Sequence, residues 1–214
     1  MTTYTTPNLT KAAIITIDTQ NDFSLPGAVV EIKGTFEVLP NIAKILEAAR
    51  KNQLPIIHII RIYKPDGSNV DLCRRELIES GTRIVAPGMD GTDLVDAIKP
   101  EHSQDLRYDE LLAGKSQLIG NKEWVMYKPR WSAFYQTGLD DLLKEQGIDT
   151  LVFTGCNFPN CPRASIYDAS ERDYRIIMIE DAISGVYDKG ITELSNIGVK
   201  IYKTHQFIAE LSNN

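Results

Sequence analysis

Short apolar, β-branched runs alternate with longer segments of helical periodicity along most of the chain. Buried-type strands are predicted at 12–18, 55–62, 123–128, 150–155, 175–180 and 199–202. Helices are predicted between or after these runs, at 41–51, 138–146, 162–173 and 190–196. Strands that alternate with helices are typical of βαβ units. The pattern therefore predicts an α/β fold, a three-layer α/β/α sandwich with a mostly parallel, Rossmann-like sheet of about six strands.

Proline and glycine mark the ends of several predicted helices. Pro40 directly precedes the helix at 41–51, and we expect that helix to begin after it. Gly147 and Gly198 follow two other helical segments and are expected to end them.

Residues 64–121 depart from this pattern. They contain few strong apolar runs, many charges and several glycines, with one helix predicted at 70–80. We expect this segment to leave the sheet and to form either a lid over the site or a subunit contact. No linker divides the chain, so a single domain over 1–214 is predicted.

Composition and charge exclude several classes of protein. The 214 residues include 23 Lys and Arg against 29 Asp and Glu, a net charge of −6, and no basic block. We therefore expect no nucleic-acid partner and no membrane partner. No apolar run reaches the roughly 18 residues that span a bilayer, and the first residues do not resemble a signal peptide. Three cysteines are too few for a disulfide framework, which favours a cytoplasmic location.

Three reactive residues follow predicted strands. Asp18 ends the first strand, Lys128 ends the third, and Cys161 follows the fourth after a short loop. Ligands of open parallel sheets bind beyond the carboxyl ends of the strands, so these side chains are candidates for one site. Cys161 also lies at the start of a predicted helix. The positive end of that helix favours a thiolate, and its backbone N–H groups can hold an oxyanion.

Each of these residues also has a structural interpretation. Free cysteines are usually small, buried and inert, so Cys161 is also compatible with the core. Asp18 and Lys128 are compatible with a structural salt bridge, because a buried carboxylate needs a partner.

Three segments resemble the isochorismatase-like cysteine hydrolases. The segment AAIITIDTQNDF is similar to the family's first strand, followed by Asp18, Gln20, Asn21, Asp22 and Phe23. Residues 127–155 resemble a second block, with a lysine, an aromatic residue, a Leu-rich helix and a strand that ends in glycine. Residues 155–184 resemble the third block, through Gly155, Cys161, Asp168-Ala169, Tyr174 and Asp181-Ala182. The resemblance covers most of the chain outside roughly 64–120.

The resemblance implies a Cys–Asp–Lys triad. In it Cys161 is the nucleophile, Asp18 the general base and Lys128 the cation that supports both. The resemblance also implies a cis peptide at Cys156–Asn157 and an oxyanion hole made by the backbone N–H groups of Asn157 and Cys161. The implied reaction cleaves a C–N bond of a small amide, ureide or carbamate through a thioester, and the implied assembly is a homo-oligomer, a dimer or tetramer.

The residues around the nucleophile differ from the common family pattern. Cys156 follows the glycine, Phe158 replaces a common threonine, and Pro162 follows the nucleophile. These changes alter the floor of the pocket. Six residues are candidates for substrate binding: Phe23, Trp124 and Trp131 as apolar walls, and Arg61, Tyr63 and Arg163 as partners of a substrate carboxylate. The tryptophans are also compatible with the core, and Arg163 with solvent.

No metal and no cofactor are predicted. Nicotinamide-hydrolysing relatives bind a metal through an Asp and two His after the second strand, but residues 61–71 contain no His. His58 lies inside an apolar strand and is predicted to be a core histidine, while His102 and His205 are isolated. Nicotinamidase activity is therefore disfavoured.

Three alternatives remain open from the sequence. One is an isochorismatase-type vinyl-ether hydrolase, although some of these lack the cysteine and Cys161 favours an amidase. The second is a non-enzymatic thiol redox sensor, but Cys156 and Cys161 are five positions apart and do not form a C-x-x-C pair. The third is a nucleotide- or flavin-binding module, for which the segment after the first strand has too few glycines.

Overall fold

The computed structural model describes residues 3–213, and in this part of the chain seven strands form one sheet between two layers of helices. The strands are β1 (Ala12–Ile17), β2 (Ile56–Ile60), β3 (Gln117–Gly120), β4 (Glu123–Tyr127), β5 (Thr150–Gly155), β6 (Arg175–Ile183) and β7 (Lys200–Tyr202). The α-helices are α1 (Asn21–Ser24), α2 (Thr35–Lys51), α3 (Leu72–Glu79), α4 (Tyr108–Leu112), α5 (Leu139–Glu145), α6 (Cys161–Ser170), α7 (Asp188–Asn196) and α8 (Thr204–Ser212). Single 3-10 turns lie at Thr3–Thr5, Leu9–Lys11, Asp90–Thr92 and Asp96–Ile98.

The order of the strands places a crevice at the middle of the sheet. The order is β3-β4-β2-β1-β5-β6-β7, and every neighbouring pair is parallel except β3 and β4. The chain builds outward from β1 through β2 to β4 and then crosses to β5 on the other side of β1. Ile17 at the end of β1 is paired with Gly155 at the end of β5. The loops after these two strands therefore diverge and leave a crevice where ligands bind in such sheets.

Both faces of the sheet are covered, which explains the continuous apolar strands. Ile14 packs in the cluster on the face of α2, α4 and α8, whereas Ile15 packs in the cluster on the face of α5, α6 and α7. Alternate residues of a strand point to opposite faces, so a strand between two layers is apolar at every position. The three-layer α/β/α prediction is confirmed.

The structure adds one strand to the predicted sheet of about six, and one prediction about a helix is wrong. The sheet has seven strands rather than about six, because β3 is a four-residue edge strand whose burial alternates along its length. Helix α2 begins at Thr35, and Pro40 lies inside it. Proline removes one helical hydrogen bond there. Packing of the buried face, which includes Leu39, Ile42 and Ile45, compensates for that loss.

None of the helices in the described part of the chain is long and apolar enough to cross a membrane.

Polar residues directly after β1 hold residues 64–121, the excursion between β2 and β4, against the sheet. The Gln20 side chain donates to the carbonyl oxygens of Arg61 (2.8 Å) and Thr92 (2.7 Å) and accepts from the Arg61 N–H (2.7 Å). The Asp22 carboxylate accepts from the Val85 N–H at 2.6 Å. Position 91 must be glycine, because a Cβ there would lie 2.1 Å from Asp22 Oδ1.

A buried polar cluster ties α2 to three strands. His58 is fully buried, and its two ring nitrogens bond to Thr16 Oγ1 (2.8 Å) and Glu123 Oε1 (2.7 Å). Arg50 reaches both carboxylate oxygens of Glu123, at 2.7 and 2.9 Å. The prediction of a core histidine is confirmed. Burial raises the pKa of Glu123, but the hydrogen bonds from Arg50 and His58 outweigh it and lower the pKa to about 2.

Glu123→Gln is expected to destabilise the fold at pH 7 by about 3 kcal/mol, because Arg50 and His58 lose their anionic partner in a buried place. The pKa of Glu123 is depressed from 4.5 to about 2, so its contribution is complete above pH 4.5 and is lost as the pH falls towards 2. Urea unfolding at pH 7 and pH 3 should therefore show a smaller difference between wild type and variant at pH 3. The exposed Glu145, replaced by Gln, is the matched control. A Glu123→Gln variant as stable as wild type at pH 7 would contradict this role.

Candidate active site

The ends of β1 and β5 approach closely, and this approach positions Asp18. A Cβ at Gly155 would lie 2.2 Å from the Ile17 carbonyl oxygen, so only glycine is accommodated there. Asp18 has φ of 48°, an uncommon backbone conformation for a residue other than glycine. Its N–H donates to the Ile59 carbonyl oxygen at 2.9 Å, which holds the residue at the middle of the sheet.

Lys128 joins two candidate residues directly. Its N–H donates to the Ile60 carbonyl oxygen, and its side chain is fully buried. The ammonium Nζ lies 2.8 Å from Asp18 Oδ2 and 3.3 Å from Cys161 Sγ. A third contact, with the Arg130 carbonyl oxygen at 3.2 Å, completes its hydrogen bonds. The structure therefore brings together the three residues that the sequence places at separate strand ends.

Cys161 is the first residue of α6 and has Pro162 beside it. The Arg61 guanidinium approaches the sulfur from another side, with Nη2 3.9 Å away. Asp18 Oδ1 is buried and has no hydrogen-bond partner among the described residues. The carboxylate therefore has one oxygen on Lys128 and one oxygen available as a proton acceptor.

The start of α6 favours a thiolate at Cys161, but the surroundings of the sulfur act in the opposite direction. Burial raises the pKa of the Cys161 thiol to about 11, and the negative charge of Asp18 acts in the same direction. The charges of Lys128 and Arg61 oppose this shift without cancelling it. At neutral pH the sulfur is therefore protonated and lies beside a carboxylate.

A cavity of about 230 Å³ opens onto Asp18 and Cys161. Four of the six predicted substrate-binding residues line it: Phe23, Arg61, Tyr63 and Trp131. The wall also includes Ile32 from the loop before α2, Asp71, Cys73 and Arg74 at the start of α3, and Asn157 and Asn160 from the loop between β5 and α6. The excursion therefore contributes one wall of the cavity, and its role as a lid or a subunit contact stays a prediction.

Trp124 and Arg163 lie elsewhere, in contrast to the sequence-based prediction. Trp124 packs against the core on the face of α5, because its position in β4 points that way. Arg163 bonds to the Tyr187 hydroxyl and to Glu193 on α7.

Asp71 and Arg74 line the cavity but are not among the residues predicted from the sequence. Both belong to a charged segment in which no pattern separates inward-facing from exposed charges.

The residues after β2 form a hydrogen-bonded group of three side chains. Arg61 is 4 % exposed, and its Nη1 lies 3.2 and 3.1 Å from the two oxygens of Asp71. Tyr63 donates its hydroxyl to Asp71 Oδ2 at 2.7 Å. This set does not suit a metal ion, because a guanidinium already occupies the carboxylate. The described residues contain no group of three or more His, Cys, Asp or Glu side chains placed to hold one.

Two backbone N–H groups beside the sulfur are available to a ligand. Neither the Asn157 N–H nor the Cys161 N–H donates a hydrogen bond to another described residue. The Cys156–Asn157 peptide is cis. The Cys156 thiol donates to the Asp18 carbonyl oxygen at 3.3 Å, and burial raises its pKa well above the usual value.

Comparisons with known proteins agree with this architecture. A relative described as a probable inactive nicotinamidase of Arabidopsis thaliana is 31% identical over 206 residues, which cover 94% of this chain and 96% of the relative. A ureidoacrylate amidohydrolase of Methylobacterium radiotolerans is 29% identical over 187 residues, 79% of this chain and 65% of the relative, so just under two thirds of that protein is matched.

A solved structure has the same arrangement of elements. The crystal structure of an isochorismatase family protein from Desulfovibrio vulgaris superposes with a TM-score of 0.80 at 30% identity, covering 94% of this chain and 98% of that one. The model of the isochorismatase domain matches residues 12–206, which is most of the sequence. These matches, with the fold and the site geometry, show that the chain belongs to the isochorismatase family.

Proposed function

We propose that this protein is a metal-independent cysteine hydrolase that cleaves the C–N bond of a small amide, ureide or carbamate through a thioester. The observation that supports this most strongly is the contact of Lys128 Nζ with both Asp18 Oδ2 (2.8 Å) and Cys161 Sγ (3.3 Å) beside a cavity. The likeness to a ureidoacrylate amidohydrolase supports the substrate class.

The first step transfers the Cys161 proton to Asp18 while the sulfur attacks the substrate carbonyl carbon. Asp18 Oδ1 has no other partner among the described residues and accepts this proton. The raised pKa of the thiol makes such assistance necessary at neutral pH. Lys128 and Arg61 stabilise the negative charge as it forms on sulfur, because both approach the sulfur atom.

The unused N–H groups of Asn157 and Cys161 form the oxyanion hole in this mechanism. As the C–S bond forms, the carbonyl oxygen gains negative charge, and two N–H donors stabilise it. The C–N bond then breaks, and the leaving nitrogen takes the proton from Asp18. Water next gives a proton to Asp18 and attacks the thioester, and that proton returns to the departing sulfur.

The redox-sensor alternative receives less support from the geometry. A sensing pair needs a second thiol that forms a thiolate readily. Cys156 is buried, its thiol is bonded to the Asp18 carbonyl oxygen, and burial raises its pKa. The vinyl-ether alternative does not need a nucleophilic sulfur, so the effect of removing Cys161 distinguishes it. A homo-oligomer and a cytoplasmic location stay predictions.

Cys161→Ala is expected to abolish release of ammonia or amine from a panel of small amides, ureides and carbamates, by at least about a thousandfold. Asp18→Asn should lower the rate by about 10²- to 10⁴-fold, because the proton acceptor is lost. Asp141→Asn, which changes an exposed carboxylate, is the matched control. Activity should persist after dialysis against a chelator.

Two results would contradict the proposal. Loss of activity on chelation, restored by added metal, would exclude the metal-independent mechanism. Unchanged turnover in Cys161→Ala would exclude the nucleophile, and unchanged turnover of a vinyl ether in that variant would favour the alternative hydrolase.

The rate at which iodoacetamide alkylates Cys161 should report thiolate formation independently of hydrolysis. Asp18→Asn removes a charge that raises the thiol pKa, so alkylation at pH 8 should become several-fold faster although hydrolysis is lost. Lys128→Met removes a charge that lowers the pKa, so alkylation should become slower. Peptide-resolved mass spectrometry measures both rates, with the exposed Cys73 as the reference thiol. Slower alkylation in Asp18→Asn would show that the carboxylate does not oppose the thiolate.

A further inference from the structure

We propose that Arg74 binds a carboxylate of the substrate, so that the cavity selects small amides or ureides with an anionic group at the end away from the scissile bond. This inference rests on the hydrolase function proposed above and specifies its substrate class. Arg74 lies on α3, in the excursion that contributes one wall of the cavity.

Within the part of the chain that the structure describes, the charged groups around the cavity leave Arg74 without a counterion. Lys128 is paired with Asp18 at 2.8 Å, and Arg61 is paired with Asp71 at 3.1 Å. The Arg74 side chain, by contrast, makes no ion pair and no hydrogen bond with any residue of the described 3–213. The site therefore has one uncompensated positive charge, which favours an anionic ligand.

The position of the guanidinium indicates that it is held for a ligand. It stands over the ring of Phe23, with its central carbon 5.0 Å from the ring centroid, and both residues line the cavity. Its Nη1 atom is buried and has no hydrogen-bond partner among the described residues. A buried donor without an acceptor is unfavourable, and the planar guanidinium matches the two oxygens of a carboxylate. The stacking on Phe23 orients the group in advance of binding.

Arg61 is less suited to this task, although the sequence predicts it as a partner of a substrate carboxylate. Its Nη1 already contacts both oxygens of Asp71, and its Nη2 lies 3.9 Å from the sulfur. A carboxylate on Arg61 would compete with Asp71 and occupy the space beside the nucleophile. Arg61 therefore acts on the reacting sulfur, which leaves Arg74 for the substrate carboxylate.

The size of the cavity limits the substrate. Its volume of about 230 Å³ is below the range of roughly 300–1,000 Å³ for pockets of drug-sized ligands. A substrate with a short chain between its amide and its carboxylate fits this volume and can contact both Cys161 and Arg74.

The test compares anions with neutral molecules of the same shape. Succinamate and 3-ureidopropionate are the anionic probes, and 4-methylpentanamide and 3-methylbutylurea are their neutral counterparts. Wild type should have a higher kcat/KM for the anionic probes than for their neutral counterparts. Arg74→Met keeps an apolar side chain over Phe23 and should raise KM for the anions by about 10- to 100-fold, with kcat little changed. The same variant should change KM for the two neutral probes by less than about threefold. Arg75→Gln on the same helix should change KM for neither the anionic nor the neutral probes.

Binding without turnover distinguishes this inference from the hydrolase function. Isothermal titration of Cys161→Ala and of Cys161→Ala with Arg74→Met measures affinity for the intact probes. Arg74-dependent binding of the anions supports the inference, even where wild type hydrolyses none of the probes and the proposed hydrolase function fails. Equal weakening of anionic and neutral probes in Arg74→Met would show a packing role and overturn it. Absence of any preference for the anions, in binding and in turnover, would overturn it as well.

Discussion

The buried ammonium of Lys128 is the constraint on which the site depends. A fully buried cation is costly unless opposite charge and hydrogen-bond acceptors surround it. Asp18, Cys161 and the Arg130 carbonyl oxygen provide these contacts, from three separate parts of the chain. The loops after β1, β4 and β5 must therefore meet around one atom. Removing any of the three contacts leaves the cation less well compensated, so stability and chemistry are linked at this point.

The sheet makes this meeting possible. β1 lies between β2 and β5, and the loops after β1 and β5 leave it in different directions. The close approach of Gly155 to Ile17 lets Asp18 sit beside the start of α6. Gln20 and Asp22 then fasten the excursion over the same edge. One short polar segment after β1 thus contributes the carboxylate and also the support for one wall of the cavity.

The charges of the cavity have separate roles. Asp18 and Lys128 lie at the sulfur, and their opposite effects on the thiol pKa are not balanced, because burial adds to the effect of the carboxylate. The thiol is therefore protonated at rest, next to its proton acceptor. Arg61 is compensated by Asp71, whereas Arg74 has no counterion in the described chain. The arrangement separates the reacting end of the cavity from the end that we infer to hold an anion.

The sequence by itself determined the layered fold and the identity of the central residues. Continuous apolar strands between helices require a sheet covered on both faces, and Asp18, Lys128 and Cys161 each follow such a strand, so the topology made them candidates for one site without establishing that they meet. The core role of His58 followed from its apolar neighbours. Only the tertiary structure decided the rest. The start of α2 before Pro40 depends on packing, and the protonation of Cys161 depends on burial, which helix position alone does not reveal. Trp124 and Arg163 point away from the cavity, and Arg74 lines it, because the orientation of a side chain depends on neighbours that are distant in the chain.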